Sequence, residues 1–241
     1  MYGARRLLPG FGVLAAVQMI VVSTLDGLTR PGYDGTRNWI SQLSLGANGW
    51  YGTANLATCG VWVILCAIGL HRRADARAVG LILWCGLCLV SLALVRTDAG
   101  LGFPPGAPEE HTARGLIHKL ISIALGVAGI AAVARVGPRR AAWGVAAVMA
   151  VSFAAAGVLV LLDAGGVLPG NPSGLLERVA LFAGLGWIGL VSGRTAWESC
   201  VRCGVAHGAA GRERTPDAAK ETAELNAAGE PVPCCRARTA R

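Results

Sequence analysis

Residues 30–50 read RPGYDGTRNWISQLSLGANGW, the longest polar, turn-rich segment in the first half of the chain, with a hydrophobic run on either side. Arg30, Tyr33, Asp34, Arg37, Asn38, Ser41 and Gln42 fall within it, beside the amphipathic Trp39 and Trp50. Crossing the hydrocarbon of a bilayer takes about 20 apolar residues, and Leu7–Leu25, ahead of the segment, has that length. The segment is therefore read as a loop that caps one mouth of a small helical membrane bundle.

Outward from it, the same length criterion places further spans at about Gly52–Leu70, Ala78–Val95, Leu116–Ala134, Ala141–Leu162 and Val179–Val191, six in all. Composition agrees: 54% of the 241 residues are hydrophobic and 15% charged, too few charges to cover a soluble domain of this size. The 34 glycines suit helices that pack closely in lipid. The expected fold is all-α, a polytopic membrane bundle of six transmembrane helices over residues 1–195. From Arg194 onward Gly, Ala, Arg, Glu, Thr and Pro dominate, so residues 196–241 are expected to be a disordered cytoplasmic tail. Arg5-Arg6 before an apolar run resembles a signal peptide, but no convincing small-residue cleavage site follows, which favours an uncleaved first helix.

Arg72, Arg73, Arg77, Arg135, Arg139 and Arg140 cluster in short, nearly acid-free connections on one side of the bundle. Basic loops of that kind stay cytoplasmic, so both termini are expected inside a cell membrane and every polar motif of interest outside. This distribution also accounts for the net charge of +8 through anionic lipid, without nucleic acid. Of eight cysteines, Cys59, Cys66, Cys85 and Cys88 fall within apolar runs as small hydrophobes, and the other four lie in the tail.

The three outward-running spans end in Asp26-Gly27, Asp98-Ala99-Gly100 and Asp163-Ala164-Gly165. A carboxylate at a helix C-terminus opposes the helix dipole, so each needs compensation, with Arg30, Arg37, Arg96, Arg114 and Arg178 as candidates. In the leading expectation Arg30, Arg37, Arg96 and Arg114 hold an anionic lipid or amphiphile head group, planar guanidinium being suited to phosphate and carboxylate. Tyr33, Asp34, Asn38, Gln42 and Arg178 complete that ligand-binding set. A rival expectation is an intramembrane enzyme acting on a lipid or isoprenoid, with His118 as general base oriented by Asp98 or Glu177. A third is a structural subunit whose polar residues pair off as a lid. Catalytic zinc usually takes three protein ligands, and the polar side offers only His111 and His118, so no metal site and no cofactor are expected. Membrane lipids are the expected partners.

Several of these motifs carry a likeness. Arg30-Pro31-Gly32-Tyr33-Asp34, Ile40-Ser41-Gln42-Leu43-Ser44, Gly49-Trp50 and Asn55 resemble the DUF998 family of bacterial six-span membrane proteins. Thr97-Asp98, Gly102-Phe103-Pro104-Pro105-Gly106, Thr112-x-x-Gly115-x-x-His118 and Gly174-Leu175-Leu176-Glu177-Arg178 are similar to its later motifs. The likeness covers about Leu7 to Val191 and implies a polytopic membrane protein, with no particular reaction. One departure is Arg114, where the family often has a second histidine.

Overall fold

The computed structural model describes residues 7–212. A 3-10 turn, Leu8–Gly10, leads into α1 (Phe11–Thr29). A second 3-10 helix, Ile40–Ser44, lies in the loop before α2 (Gly49–Leu70), which is followed by α3 (Ala76–Leu94) and α4 (Ala113–Val133). The remaining elements are α5 (Arg139–Ala164) and α6 (Ser173–Arg212). Six helices are long and apolar enough to cross a membrane, and among the described residues there is no strand.

Each helix packs on its neighbours in sequence, and α1 packs back on α6, so the six close into a ring. Leucines and valines such as Val17, Val21, Leu120, Val127 and Val151 face outward and are exposed. In water that much uncovered apolar surface would drive association; against lipid tails it is the expected exterior. Inside, Met19, Ile82, Leu89, Val63 and Val133 are fully buried. Small residues let α2 and α3 approach closely: a Cβ on Gly60 would stand 2.8 Å from the carbonyl oxygen of Gly86. Gln18, mid-span in α1, donates from Nε2 to Asn55 Oδ1 (3.1 Å) on α2. Its Oε1 accepts from Trp62 Nε1 at 2.7 Å, so a half-buried amide is satisfied between two helices.

Two boundaries differ from the sequence expectation. Helix α1 does not stop at Asp26-Gly27 but runs to Thr29, because Arg30 reaches back one turn to neutralise Asp26. Helix α6 does not end near residue 195 but continues to Arg212. The stretch 194–212 has no proline, the next being Pro216, so every residue in it keeps the amide a helix needs. The rest of the expected tail, with Cys234 and Cys235, lies outside the described residues.

Chain alternation puts the connections 30–48, 95–112 and 165–172 at one end of the ring, and 71–75 and 134–138 at the other. Asp75 caps α3 by accepting from the Ala78 amide (3.0 Å), and Trp187 Nε1 on α6 donates to Val136 O (2.8 Å). Both contacts tie down the short-loop end.

Candidate functional site: a polar vestibule over an apolar cavity

The first loop is held mainly through its own backbone. Arg30 is buried, and its guanidinium donates to both carboxylate oxygens of Asp26 (2.8 and 2.9 Å) and to the carbonyls of Leu43 (3.2 Å), Leu45 (3.4 Å) and Asn48 (2.9 Å). Arg178 on α6 donates to the Asn38 and Gly174 carbonyls (2.8 and 3.0 Å) and to the Tyr33 hydroxyl, and stacks over the Tyr33 ring at 5.5 Å. Burial raises the Tyr33 phenol well above its ordinary value, against the pull of that guanidinium, so it stays a donor to the Asn38 and Trp39 carbonyls. Asp34 accepts from the hydroxyl and amide of Thr36, which hold its carboxyl below the usual range.

The other two loops dock on this platform. Asn38 Nδ2 donates to Leu101 O (3.0 Å) and Gln42 Nε2 to Gly100 O (2.6 Å). Arg37 pairs with Asp163 at 3.5 Å, and Glu177 Oε2 accepts from the Ile40 amide at 2.7 Å. Three segments distant in sequence therefore meet on one rim. Arg96 and Arg114, by contrast, are exposed.

At the start of α4 the motif Thr112-x-x-Gly115-x-x-His118 has a local logic. Thr112 caps the helix by accepting from the Gly115 amide (3.0 Å), and Asp98 accepts in turn from the Thr112 amide (2.8 Å) and hydroxyl (2.6 Å). A Cβ on residue 115 would collide with the Asp98 carboxylate, so the arrangement requires glycine there. Burial pushes the Asp98 carboxyl up, but the Thr112 hydrogen bonds, with Lys119 and Arg114 nearby, outweigh it and leave it below the usual aspartate range. One turn on, His118 is 2% exposed and its Nδ1 lies 2.5 Å from Val95 O.

Beside His118 opens a vestibule of about 290 Å3. Its charged border is acidic: Asp98, Glu109, Glu110 and Asp163 against Lys119. None of Arg30, Arg37, Arg96, Arg114 or Arg178 borders it. Beneath lies a second cavity, about 90 Å3, inside the ring and bordered by apolar side chains such as Leu56, Leu89, Leu125, Met149 and Ile188, with Glu177 as its carboxylate. Trp39, Ser41, Ser122 and Phe153 border both spaces and form the partition between them. Glycines on the wall of the inner cavity let neighbouring side chains pack close: a Cβ on Gly126 would come within 2.6 Å of the Phe153 ring, and one on Gly184 within 2.6 Å of Met149 Cε.

The structure thus divides the residues expected to form one cup. Arg30, Tyr33, Asp34, Arg37, Asn38 and Arg178 build the frame; Gln42, Asp98 and His118 border the vestibule; Glu177 borders the inner cavity. His118 is not hydrogen-bonded to Asp98 or Glu177, whose carboxylates are taken by Thr112 and by the Ile40 amide. Among the described residues no group of three or more His, Cys, Asp or Glu is placed to hold a metal ion. Sequence reasoning missed the partition role of Trp39 and Phe153 and the whole inner cavity. The signal was Gly126-x-x-Gly129 within one span and Gly184 within another.

Among the described residues, three buried side-chain atoms have no hydrogen-bond partner: Arg37 Nε, Trp39 Nε1 and His118 Nε2. Most buried polar atoms in folded proteins are paired, and two of these three belong to residues that border the vestibule.

A family description reading protein of unknown function (DUF998) matches residues 13–194. No curated protein and no solved structure matches the chain.

Proposed function

The chain belongs to the DUF998 family, and on that footing we propose that this multi-pass membrane protein binds an amphiphile, with its polar head in the vestibule and the first few carbons of its tail in the inner cavity. The observation that carries the reading is the adjacency of an apolar space and a polar one across a shared partition of Trp39, Ser41, Ser122 and Phe153. Ligand sites of this kind are mostly apolar with a few convergent polar groups. The acidic border and the engagement of Arg30, Arg37 and Arg178 elsewhere argue for a head group that is not anionic. An intramembrane enzyme with His118 as general base has less support, since neither Asp98 nor Glu177 reaches the imidazole. We place the vestibule on the exterior of a cell membrane and both termini in the cytoplasm, on the strength of the arginines at the opposite end.

A hexadecyl probe carrying a photoreactive diazirine on a tail carbon next to its head group tests the binding reading on the purified full-length protein. Adducts are expected on α4 and α6 peptides that border the inner cavity, and Gly129→Leu, which extends a side chain into that space, is expected to abolish them. Adducts confined to the lipid-facing positions Leu120, Val127 and Val151 would overturn the reading. For orientation, Ala47 is exposed on the first loop. An Ala47→Cys variant should react with an impermeant maleimide in intact cells; reaction only after lysis refutes the placement.

A further inference from the structure

Resting on that reading of the two cavities, we propose that the head group is an uncharged hydroxyl, so that the ligand is a lipid alcohol, held between His118 Nε2 as acceptor and Trp39 Nε1 as donor. The Val95 carbonyl can only accept a hydrogen bond, so the His118 nitrogen 2.5 Å from it carries a proton. In the neutral ring the other nitrogen then presents a lone pair, and that nitrogen, Nε2, is buried without a partner. The Trp39 indole N–H can only donate, and it too is buried and unpaired. Both residues border the vestibule, and Trp39 also borders the tail cavity.

One open acceptor and one open donor match a group that does both, and a hydroxyl is the smallest that does. A carboxylate or phosphate would satisfy the indole but confront the imidazole lone pair and the acidic border of Asp98, Glu109, Glu110 and Asp163. An ammonium would suit the acids and the imidazole, yet leave the indole N–H unpaired.

The test holds the tail constant. Binding of tritiated 1-hexadecanol, palmitate and hexadecylamine to the full-length protein is measured by scintillation proximity. Hexadecanol is expected to bind at least about ten-fold tighter than the other two, the worth of one buried hydrogen bond left unmade. Trp39→Phe, which keeps the ring and deletes the donor, should weaken hexadecanol by about ten-fold and leave hexadecylamine unchanged. His118→Gln, which offers a carbonyl oxygen in place of Nε2, should retain hexadecanol binding, whereas His118→Phe should lose it. Equal affinities for the three probes would overturn the head-group inference while the tail cavity stands. Tightest binding of palmitate or of hexadecylamine would overturn it in favour of a charged head. Failure of all three to bind, with no diazirine adducts in the inner cavity, would overturn the cavity reading itself.

Discussion

Arg30 and His118 lie on the same rim, are both buried, and are treated in opposite ways. Arg30 spends its guanidinium on one carboxylate and three carbonyls of its own loop. His118 anchors one nitrogen on Val95 and leaves the other without a partner. The first pattern belongs to a frame; the second leaves hydrogen-bonding capacity unused. A buried side chain at a membrane mouth is therefore not a site on grounds of charge alone. What separates the two cases is whether its hydrogen-bonding capacity is used up.

The contrast can be broken in order of expected effect. Arg30→Ala strands Asp26 and three carbonyls, and breaking a buried pair costs about 3–5 kcal/mol. Thermal unfolding in detergent should show the largest loss of any variant at this end of the bundle, and a near-native melting temperature would mean that Arg30 does not frame the loop. Gly115→Ala comes next. Its methyl drives into the Asp98 carboxylate, and overpacking of this kind costs about 1–3 kcal/mol. Because His118 stands one turn beyond, the same variant should also weaken amphiphile binding, read by the hexadecyl probe.

Acidification tests the Asp98 cap with a smaller effect. Its folded-state pKa lies below the usual aspartate value. The stability it supplies is therefore complete above about pH 4 and is lost as pH falls through the lower folded value. Wild type should melt higher than Asp98→Asn at neutral pH, and the two curves should converge in acid. A gap that persists there would assign the difference to shape and not to charge. The smallest effect belongs to Trp39→Phe. With no partner for the indole N–H to lose, stability should change by less than about 0.5 kcal/mol while hexadecanol affinity falls. A large drop in melting temperature would put Trp39 with Arg30 in the frame.

Much of the frame was legible in the sequence. The six spans follow from run length, and the polar loops alternate with basic ones, so the meeting of residues 30–48, 95–112 and 165–172 on one rim follows from chain parity alone. Asp26 and Asp163 do find arginines, Arg30 and Arg37. Asp98 instead finds Thr112, which the search for charged partners passed over. The cavity was illegible for a physical reason. Helices buried among helices and lipid are apolar on every face, so their pattern carries no stripe that points inward. Gly126, Gly129 and Gly184 mark a void only once α4 and α6 are brought to face each other across Met149 and Phe153. Nor does composition separate an arginine that binds ligand from one that binds its own loop; that depends on where backbone carbonyls point.

The closing of α1 on α6 has a consequence for how the molecule is made. Glu177 and Arg178, which receive the Ile40 amide and grip the Asn38 carbonyl, sit on the sixth span to leave the ribosome. The polar loop that follows the first span must wait, already translated, through the insertion of four more helices before its partners arrive. A nascent chain halted after α5 would carry that loop undocked and its vestibule unfloored, a plain recognition mark for membrane quality control.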